Sequence, residues 1–362
     1  MQVTLIWVDF CNCMRYARGV VSIVKKITEY VALNPSRFHT PGHKGTLHPF
    51  DITELVDDSF PAQVVEVAEK EVASLYGAKH LRFLTGGSSI GIKAAILAAA
   101  GDVIAFKGHH QALSEGASLA KVNLYTHDTG YSIEGLPKVV TVQEVTLAIA
   151  NNPTAKAVYI ESPDYWGRVV SKDVGEAIRA AGKFFFCDAA HGAHFMADTK
   201  VFPHCFASLA DVCNLSAHKT LNAYTQTAYL CVNHQALIAP ITTALKNLGT
   251  TSPNYMLLAS LESAAHEAKH NALAYKRLKE DILHFKKCVP CLAADDCTRI
   301  SVDAVALGLS GQALNAKLVA KNIFAEKVGD RYVTFIATVH EKFADFEALA
   351  QAIKTSASIN KN

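Results

Sequence analysis

The chain has 362 residues, half of them hydrophobic, and 35 Lys and Arg set against 33 Asp and Glu give a formal net charge of +2. That length holds one large α/β domain plus a smaller one around a sizeable core, and the composition excludes general disorder. Charge without long runs of one sign asks for neither nucleic acid nor a membrane, and nine cysteines without paired zinc spacings read as reduced thiols in a cytoplasmic protein.

Met1 to Phe10 is apolar but carries Asp9, lacks a basic leader and is far short of a membrane span, so it reads as a short strand or a loosely packed extension. Cys11-Asn12-Cys13 is too little for a metal site. From Gly19 to Leu33 apolar residues recur at Val20, Ile23, Val24, Ile27 and Val31, which predicts an amphipathic helix stopped by Asn34-Pro35. Phe38-His39-Thr40-Pro41-Gly42-His43-Lys44-Gly45 is a loop by its Pro-Gly step. Its two histidines and lysine are either functional or simply solvated.

Gln63 to Tyr76 is helical by period, and the strand His80 to Leu84 runs into Thr85-Gly86-Gly87-Ser88-Ser89 at the start of another helix. A strand feeding a Gly/Ser turn at a helix start directs backbone N–H groups and hydroxyls at one point, which suits a phosphate. The alternative is a simple serine N-cap. Strand and helix then alternate: strands at Asp102 to Phe106, Val122 to Thr126 and Ala155 to Glu161, helices at His110 to Leu119 and Thr141 to Ala150. Alternation of this kind predicts a mostly parallel sheet flanked by helices, with ligands gathered at the carboxyl ends of the strands. His109-His110 and Ser162-Pro163-Asp164-Tyr165-Trp166-Gly167 stand at two such ends.

Lys183 to Cys187 is a continuous apolar strand ending in Asp188-Ala189-Ala190-His191-Gly192-Ala193-His194. A carboxylate at the end of a buried strand is costly unless a cation or donors face it, and a protonated pyridine nitrogen would be such a partner. A helix N-cap is the other reading of Asp188. Asp211 to Leu215 is the next strand, followed by Ser216-Ala217-His218-Lys219-Thr220. A desolvated lysine there is nucleophilic enough to form a Schiff base with the aldehyde of pyridoxal 5′-phosphate, whereas a solvated lysine in a turn is the plainer alternative.

Beyond this, Gln226 to Val232 reads as a strand, His234 to Leu248 as a helix and Gly249-Thr250-Thr251-Ser252-Pro253 as a polar turn. A long helical stretch follows from Tyr255 to about Lys286, its Leu257, Leu258, Leu261, Ala264, Ala265 stripe suited to core or subunit packing. Cys288 to Asp296 reads as a linker. The remainder predicts strand, helix, strand, helix at Thr298 to Val302, Gly311 to Lys321, Arg331 to Ile336 and Lys342 to Ile353. The expected division is an N-terminal helix and loop segment (1–45), a large cofactor-binding domain (46–287) and a small C-terminal α/β domain (288–362).

Taken together, Pro41-Gly42-His43-Lys44, Asp51-Ile52-Thr53-Glu54, Thr85 to Ser89, Glu161-Ser162-Pro163-Asp164-Tyr165, Asp188 to His194, Ser216 to Thr220 and Thr251-Ser252-Pro253 resemble the Orn/Lys/Arg decarboxylase family, of the fold type I, aspartate-aminotransferase-like pyridoxal phosphate enzymes. The resemblance runs from about Arg37 to Ile353. It implies that Lys219 is the Schiff-base lysine, Asp188 the partner of the pyridine nitrogen and His110 the imidazole stacked on the ring. Gly87, Ser88, Ser89, Ser216 and His218 would bind the phosphate, and His191 would neighbour the phenolic oxygen. Thr251 and Ser252 would reach the phosphate from a second subunit of a homodimer. His218 and Lys219 are the candidate proton donors.

The implied activity is decarboxylation of lysine, ornithine or arginine to a diamine or agmatine, a step of polyamine biosynthesis, with no metal and no nucleic acid or membrane partner. Another pyridoxal phosphate reaction, such as transamination or elimination, and a non-catalytic relative are the alternatives. Ala189 stands where the family usually has an acidic residue and Gly86 where it has asparagine, and the chain stops near the end of the small domain where most relatives continue. A distal ammonium or guanidinium needs an acidic partner, for which Asp164 or a residue of the partner chain is expected. Arg299 is expected to meet a substrate carboxylate or, more simply, to form a surface ion pair.

Overall fold

In the computed structural model the described residues are 22–53 and 60–358. They form two compact units, one drawn from residues 22–53, 60–162, 170–196 and 205–270, the other from 163–169, 197–204 and 271–358.

The first unit begins with α1 (Ile23–Ala32) and α2 (Phe60–Tyr76). Strand and helix then alternate through β1 (His80–Leu84), α3 (Gly87–Ala99), β2 (Val103–Phe106), α4 (Gln111–Ala120), β3 (Leu124–His127), α5 (Val142–Asn151), β4 (Ala157–Glu161), α6 (Lys172–Ala180) and β5 (Phe184–Asp188). After β5 come β6 (Val212–Leu215), the single turn α7 (Ala217–Thr220), β7 (Ala228–Val232), α8 (Gln235–Leu248) and α9 (Tyr255–His270). The seven strands lie in the order β1-β7-β6-β5-β4-β2-β3, and β7 alone among them runs opposite to the other six.

Residue chemistry explains most boundaries. The helix expected from Gly19 starts at Ile23 because the Ser22 hydroxyl accepts from Lys25 N–H as its N-cap, while residues 19–21 lie outside the described set. Thr141 and Glu144 form a reciprocal capping box on α5. Ser171 caps α6, a helix the sequence reading passed over between its loop at Gly167 and its strand at Lys183.

The sheet is a middle layer. One face packs Leu84, Val103, Ala105, Tyr159, Phe186, Val212 and Leu230 against Ile92 and Ile96 of α3. The other face presents Phe83, Phe185 and Tyr229, where Tyr229 OH donates to Leu261 O of α9 at 2.7 Å and Phe185 meets Phe206 edge to face at 5.3 Å. Of the stripe Leu257, Leu258, Leu261, Ala264, Ala265, all but the half-buried Leu257 are buried as core. The long helix expected to Lys286 is instead two: α9 ends at His270 in the first unit, and after Asn271 the second unit begins α10 (Ala272–Cys288). Apolar spacing continues across Asn271, so periodicity alone did not register the break.

The second unit adds β8 (Arg299–Asp303), α11 (Gly311–Val319), β9 (Lys327–Val328), β10 (Tyr332–Ile336) and α12 (Phe343–Ser358) to α10. Its strands form an antiparallel sheet ordered β8-β10-β9, so the expected alternation gains a two-residue strand too short to show in the sequence.

Candidate active site

Asp188 closes β5 and pairs in register with Asn214 of β6 on one side and Glu161 of β4 on the other. Partners in parallel register share a face, so these three polar side chains leave the sheet together on the α3 side. Asp188 is 5% exposed, and three donors meet its carboxylate. Tyr159 OH donates to Oδ2 at 2.7 Å, Ala190 N–H to Oδ1 at 3.1 Å and Asn214 Nδ2 to Oδ1 at 3.5 Å. Burial, followed by the Asp188 charge, pushes the Tyr159 phenol well above its ordinary value, which keeps it a donor. The N-cap alternative for Asp188 falls away, because a short 3₁₀ turn (Ala193–Met196) follows it and no α-helix does.

Lys219 lies in α7, straight after β6, with Nζ 3.3 Å from Nε2 of the buried His191. The strand reversal at β7 returns the chain beneath this turn: Thr227 O accepts from Ala217 N–H at 3.1 Å and faces His218 Nδ1 at 3.0 Å. The lysine is thereby fixed one strand away from Asp188.

At the start of α3 the cap position is Gly86, with no side chain closing the helix end, so the simple serine N-cap reading does not hold. Gly87 has φ +75°, which favours glycine, and nothing lies within 4 Å of where a Cβ would stand. Its N–H is held by Gln226 O at 2.8 Å. Ser216 Oγ donates to Ser88 Oγ at 2.8 Å, joining the starts of α7 and α3, and Ser89 follows on the same turn. At Gly86, a Cβ would come 1.9 Å from the Cδ1 tip of Ile90. Ala189 is buried.

His110 caps α4 at the end of β2, its Nδ1 accepting from Ala112 N–H at 3.1 Å and its own N–H donating to Glu161 Oε1 at 2.6 Å. Its imidazole is exposed. His109 is engaged otherwise, with ring nitrogens 3.1 Å from Phe106 O and Ser114 Oγ.

Thr251 and Ser252 are exposed in the turn between α8 and α9. Thr251 lines a cavity of about 730 Å³ shared with Thr85 and Gly86 of the glycine turn, and Ser252 N–H donates to Thr250 Oγ1 at 3.1 Å. The Pro41-Gly42-His43-Lys44 loop is tied down rather than merely solvated: His43 Nε2 is 3.2 Å from Asp51 Oδ2, and Asn254 Nδ2 donates to Asp51 Oδ1 at 3.4 Å. Glu54 lies outside the described residues.

Two expectations in the second unit are corrected. Arg299 is 1% exposed, not a surface residue. Burial holds its guanidinium below the usual arginine range, opposed chiefly by Asp296, and the backbone of Gly167 presses so close that a Cβ there would be 2.7 Å from Arg299 Cγ. Asp164 is occupied by its own turn. Its Oδ2 accepts from Arg168 Nε at 2.7 Å and its Oδ1 from the N–H groups of Trp166 and Arg168 at 3.0 and 2.9 Å, which leaves it poorly placed to receive another cation.

Tyr159 and Asn214 were missed because each sits in an apolar strand that reads as core. The signal was available for Tyr159, since a buried phenol needs a hydrogen-bond partner. Among the described residues no three His, Cys, Asp or Glu side chains gather as a metal site, and no helix is long and apolar enough to cross a membrane.

Residues 50–305 match the family described as Orn/Lys/Arg decarboxylase, major domain. An uncharacterized Bacillus subtilis protein, YaaO, is 28% identical over 87% of this chain and 73% of its own length. A Bacillus subtilis arginine decarboxylase is 23% identical over 90% of this chain and 75% of its own. Among solved structures, the Francisella novicida lysine decarboxylase superposes with a TM-score of 0.77 at 15% identity over 94% of this chain, and the Escherichia coli constitutive lysine decarboxylase with 0.75 at 17% over 92%. The chain spans 60% of the length of each of these two. A high-resolution structure of SPT with PLP gives 0.66 at 10% identity, covering 95% of this chain and 86% of that one, so the fold is that of the fold type I enzymes. The family match takes in the glycine turn, both strand ends and Lys219 in a single span, and on it the chain belongs to the Orn/Lys/Arg decarboxylase family, whose cofactor is pyridoxal 5′-phosphate.

Proposed function

We propose that this chain decarboxylates lysine, ornithine or arginine to the corresponding diamine or agmatine, as a cytoplasmic homodimer serving polyamine biosynthesis. The observation that carries the reading is the placement of Lys219 and Asp188 on adjacent strand ends beside the open turn at Gly87. Relatives named arginine decarboxylase and neighbours named lysine decarboxylase support a basic amino acid as substrate.

The residues present fit the cofactor. The turn at Gly87 opens onto free space, with nothing within 4 Å of where a Cβ would stand, the carboxylate of Asp188 is fixed at the carboxyl end of the central strand β5 by three donors, and an exposed imidazole stands at His110. In this reading Lys219 holds the group through its ε-amine, Asp188 faces its ring nitrogen, His110 its ring and His191 its phenolic oxygen. Ser88, Ser89, Ser216 and His218 take its phosphate, with Gly87, whose N–H is held by Gln226 O, leaving space for it, and they are joined by Thr251 and Ser252 of a second copy. The bound group supplies a sink for the electron pair left on the α-carbon when the carboxylate departs as carbon dioxide.

The protein's own part is placement and proton supply. Nδ1 of His218 faces the Thr227 carbonyl, which only accepts, so that nitrogen carries its hydrogen and Nε2 is the atom that exchanges a proton. Lys219, its neighbour in α7, is the second donor proposed. The test is carbon dioxide release by the full chain reconstituted with pyridoxal phosphate, offered lysine, ornithine and arginine side by side. Release from at least one is expected. Release from none contradicts the proposal, and keto-acid formation from an amino donor would redirect it to transamination.

A further inference from the structure

In the strand β4 (Ala157–Glu161), Tyr159 lies in no motif and Glu161 only opens the one at Glu161-Ser162-Pro163-Asp164-Tyr165, yet these two side chains hold two of the site's residues. Tyr159 and Glu161 are two apart and therefore share a face. Tyr159 pairs in register with Phe186, and Glu161 with Asp188. From its place one pleat back, about 6–7 Å along the strand, the Tyr159 side chain reaches forward to Asp188 Oδ2 at 2.7 Å. Glu161 turns the other way along the sheet, toward β2, and takes the backbone N–H of His110 at 2.6 Å.

Packing does not explain this choice of residues. Tyr159 is 3% exposed among apolar neighbours, and the adjacent strand fills equivalent positions with Phe184, Phe185 and Phe186. A phenylalanine would fill the same volume, so what the tyrosine adds is one hydroxyl aimed at one carboxylate. Burying that hydroxyl without a partner would be unfavourable, and burying Asp188 without it would leave Oδ2 with no donor from the protein. The phenol's raised ionisation keeps the proton on the tyrosine side of the bond.

We propose that Tyr159 and Glu161 are positioning residues, one setting the basicity and orientation of Asp188 toward the cofactor's ring nitrogen and the other fixing His110 against the ring. This rests on the roles given above to Asp188 and His110.

The test uses the full chain reconstituted with pyridoxal 5′-phosphate, following the visible absorbance of the bound cofactor against pH, its dissociation constant and steady-state kinetics. Tyr159→Phe conserves volume and is expected to move the absorbance midpoint by at least about half a pH unit and to lower kcat about tenfold with KM unchanged. Glu161→Ala is expected to weaken cofactor binding about tenfold, and Glu161→Gln, which keeps an acceptor oxygen, to restore most of it. A Tyr159→Phe protein with a lowered melting temperature but unchanged midpoint and kcat would reduce the tyrosine to core packing and overturn the proposal. Asp188→Asn separates the two levels. If it moves the midpoint and Tyr159→Phe does not, only the positioning role falls; if neither moves it, the assignment of Asp188 falls as well.

Discussion

The backbone of α7 is anchored through Ala217 N–H and the Ser216 hydroxyl, contacts that do not use the Lys219 side chain, whose Nζ meets His191 Nε2 at 3.3 Å. Lys219→Ala is therefore expected to lose the cofactor's visible absorbance and all turnover, while apo-protein melting stays within a few degrees of the parent. Gly91 is a subtler case. A Cβ there would stand 2.5 Å from Asn214 Oδ1 and 2.9 Å from Leu84 Cδ1. Gly91→Ala is expected to cost about 1–3 kcal/mol by overpacking and, by pushing Asn214 off Asp188, to weaken cofactor affinity, which melting and equilibrium dialysis report separately. At this scale the sequence disclosed residues whose chemistry is unusual for their place, such as Asp188 ending an apolar strand. It concealed Tyr159 and Asn214, whose roles depend on which strand lies alongside, and it misplaced Arg299, since a charged residue in a strand gives no sign of being covered on every side.

Among the elements, α1 is held at its N-terminus by a buried acid from α9. Glu262 Oε2 accepts from Ser22 Oγ at 3.0 Å and Val24 N–H at 3.4 Å. Burial raises its carboxyl from the ordinary 4.5 to about 7, against the hydrogen bonds from Ser22 and Val24, and Glu71, which is 3.7 Å from His266 Nε2, adds to the rise. Between those two values the folded chain holds a proton that the unfolded chain has released. Stability therefore falls as pH rises through this window, by on the order of 3 kcal/mol from this group, and is not regained above it. Denaturant unfolding across the window is expected to show that slope, and Glu262→Gln to flatten it. A capping contrast is available at α5, where Thr141→Ala should cost about 1 kcal/mol with no effect on cofactor affinity, since the box at Thr141 and Glu144 is remote from Lys219 in chain and in bonding. Elements with a strong period or cap were readable in advance. The break at Asn271 was not, because two helices of like periodicity follow one another there.

For the whole molecule, alternation of strand and helix was enough to announce a mostly parallel sheet, because parallel neighbours need crossover helices. The reversal of β7 was not announced, although it is the reversal that brings Thr227 and Gln226 under α7 and α3. The proposed homodimer supplies a prediction at this scale. If Thr251 and Ser252 complete the partner's site, a Lys219→Ala chain and a Thr251→Ala/Ser252→Ala chain, each impaired alone, recover activity when unfolded and refolded together. The expected yield is about one quarter of the parent's, from mixed dimers with one intact site each. Absence of any recovery, with both chains folded and dimeric by light scattering, would place those residues outside the site.

The central claim is that Lys219 carries the cofactor. Reducing the reconstituted full chain with borohydride and mapping the modified peptide by mass spectrometry tests it most directly. The account predicts a phosphopyridoxyl group on Lys219 alone and none in Lys219→Ala. A label on another lysine, or no label on a protein that binds the cofactor, would contradict it.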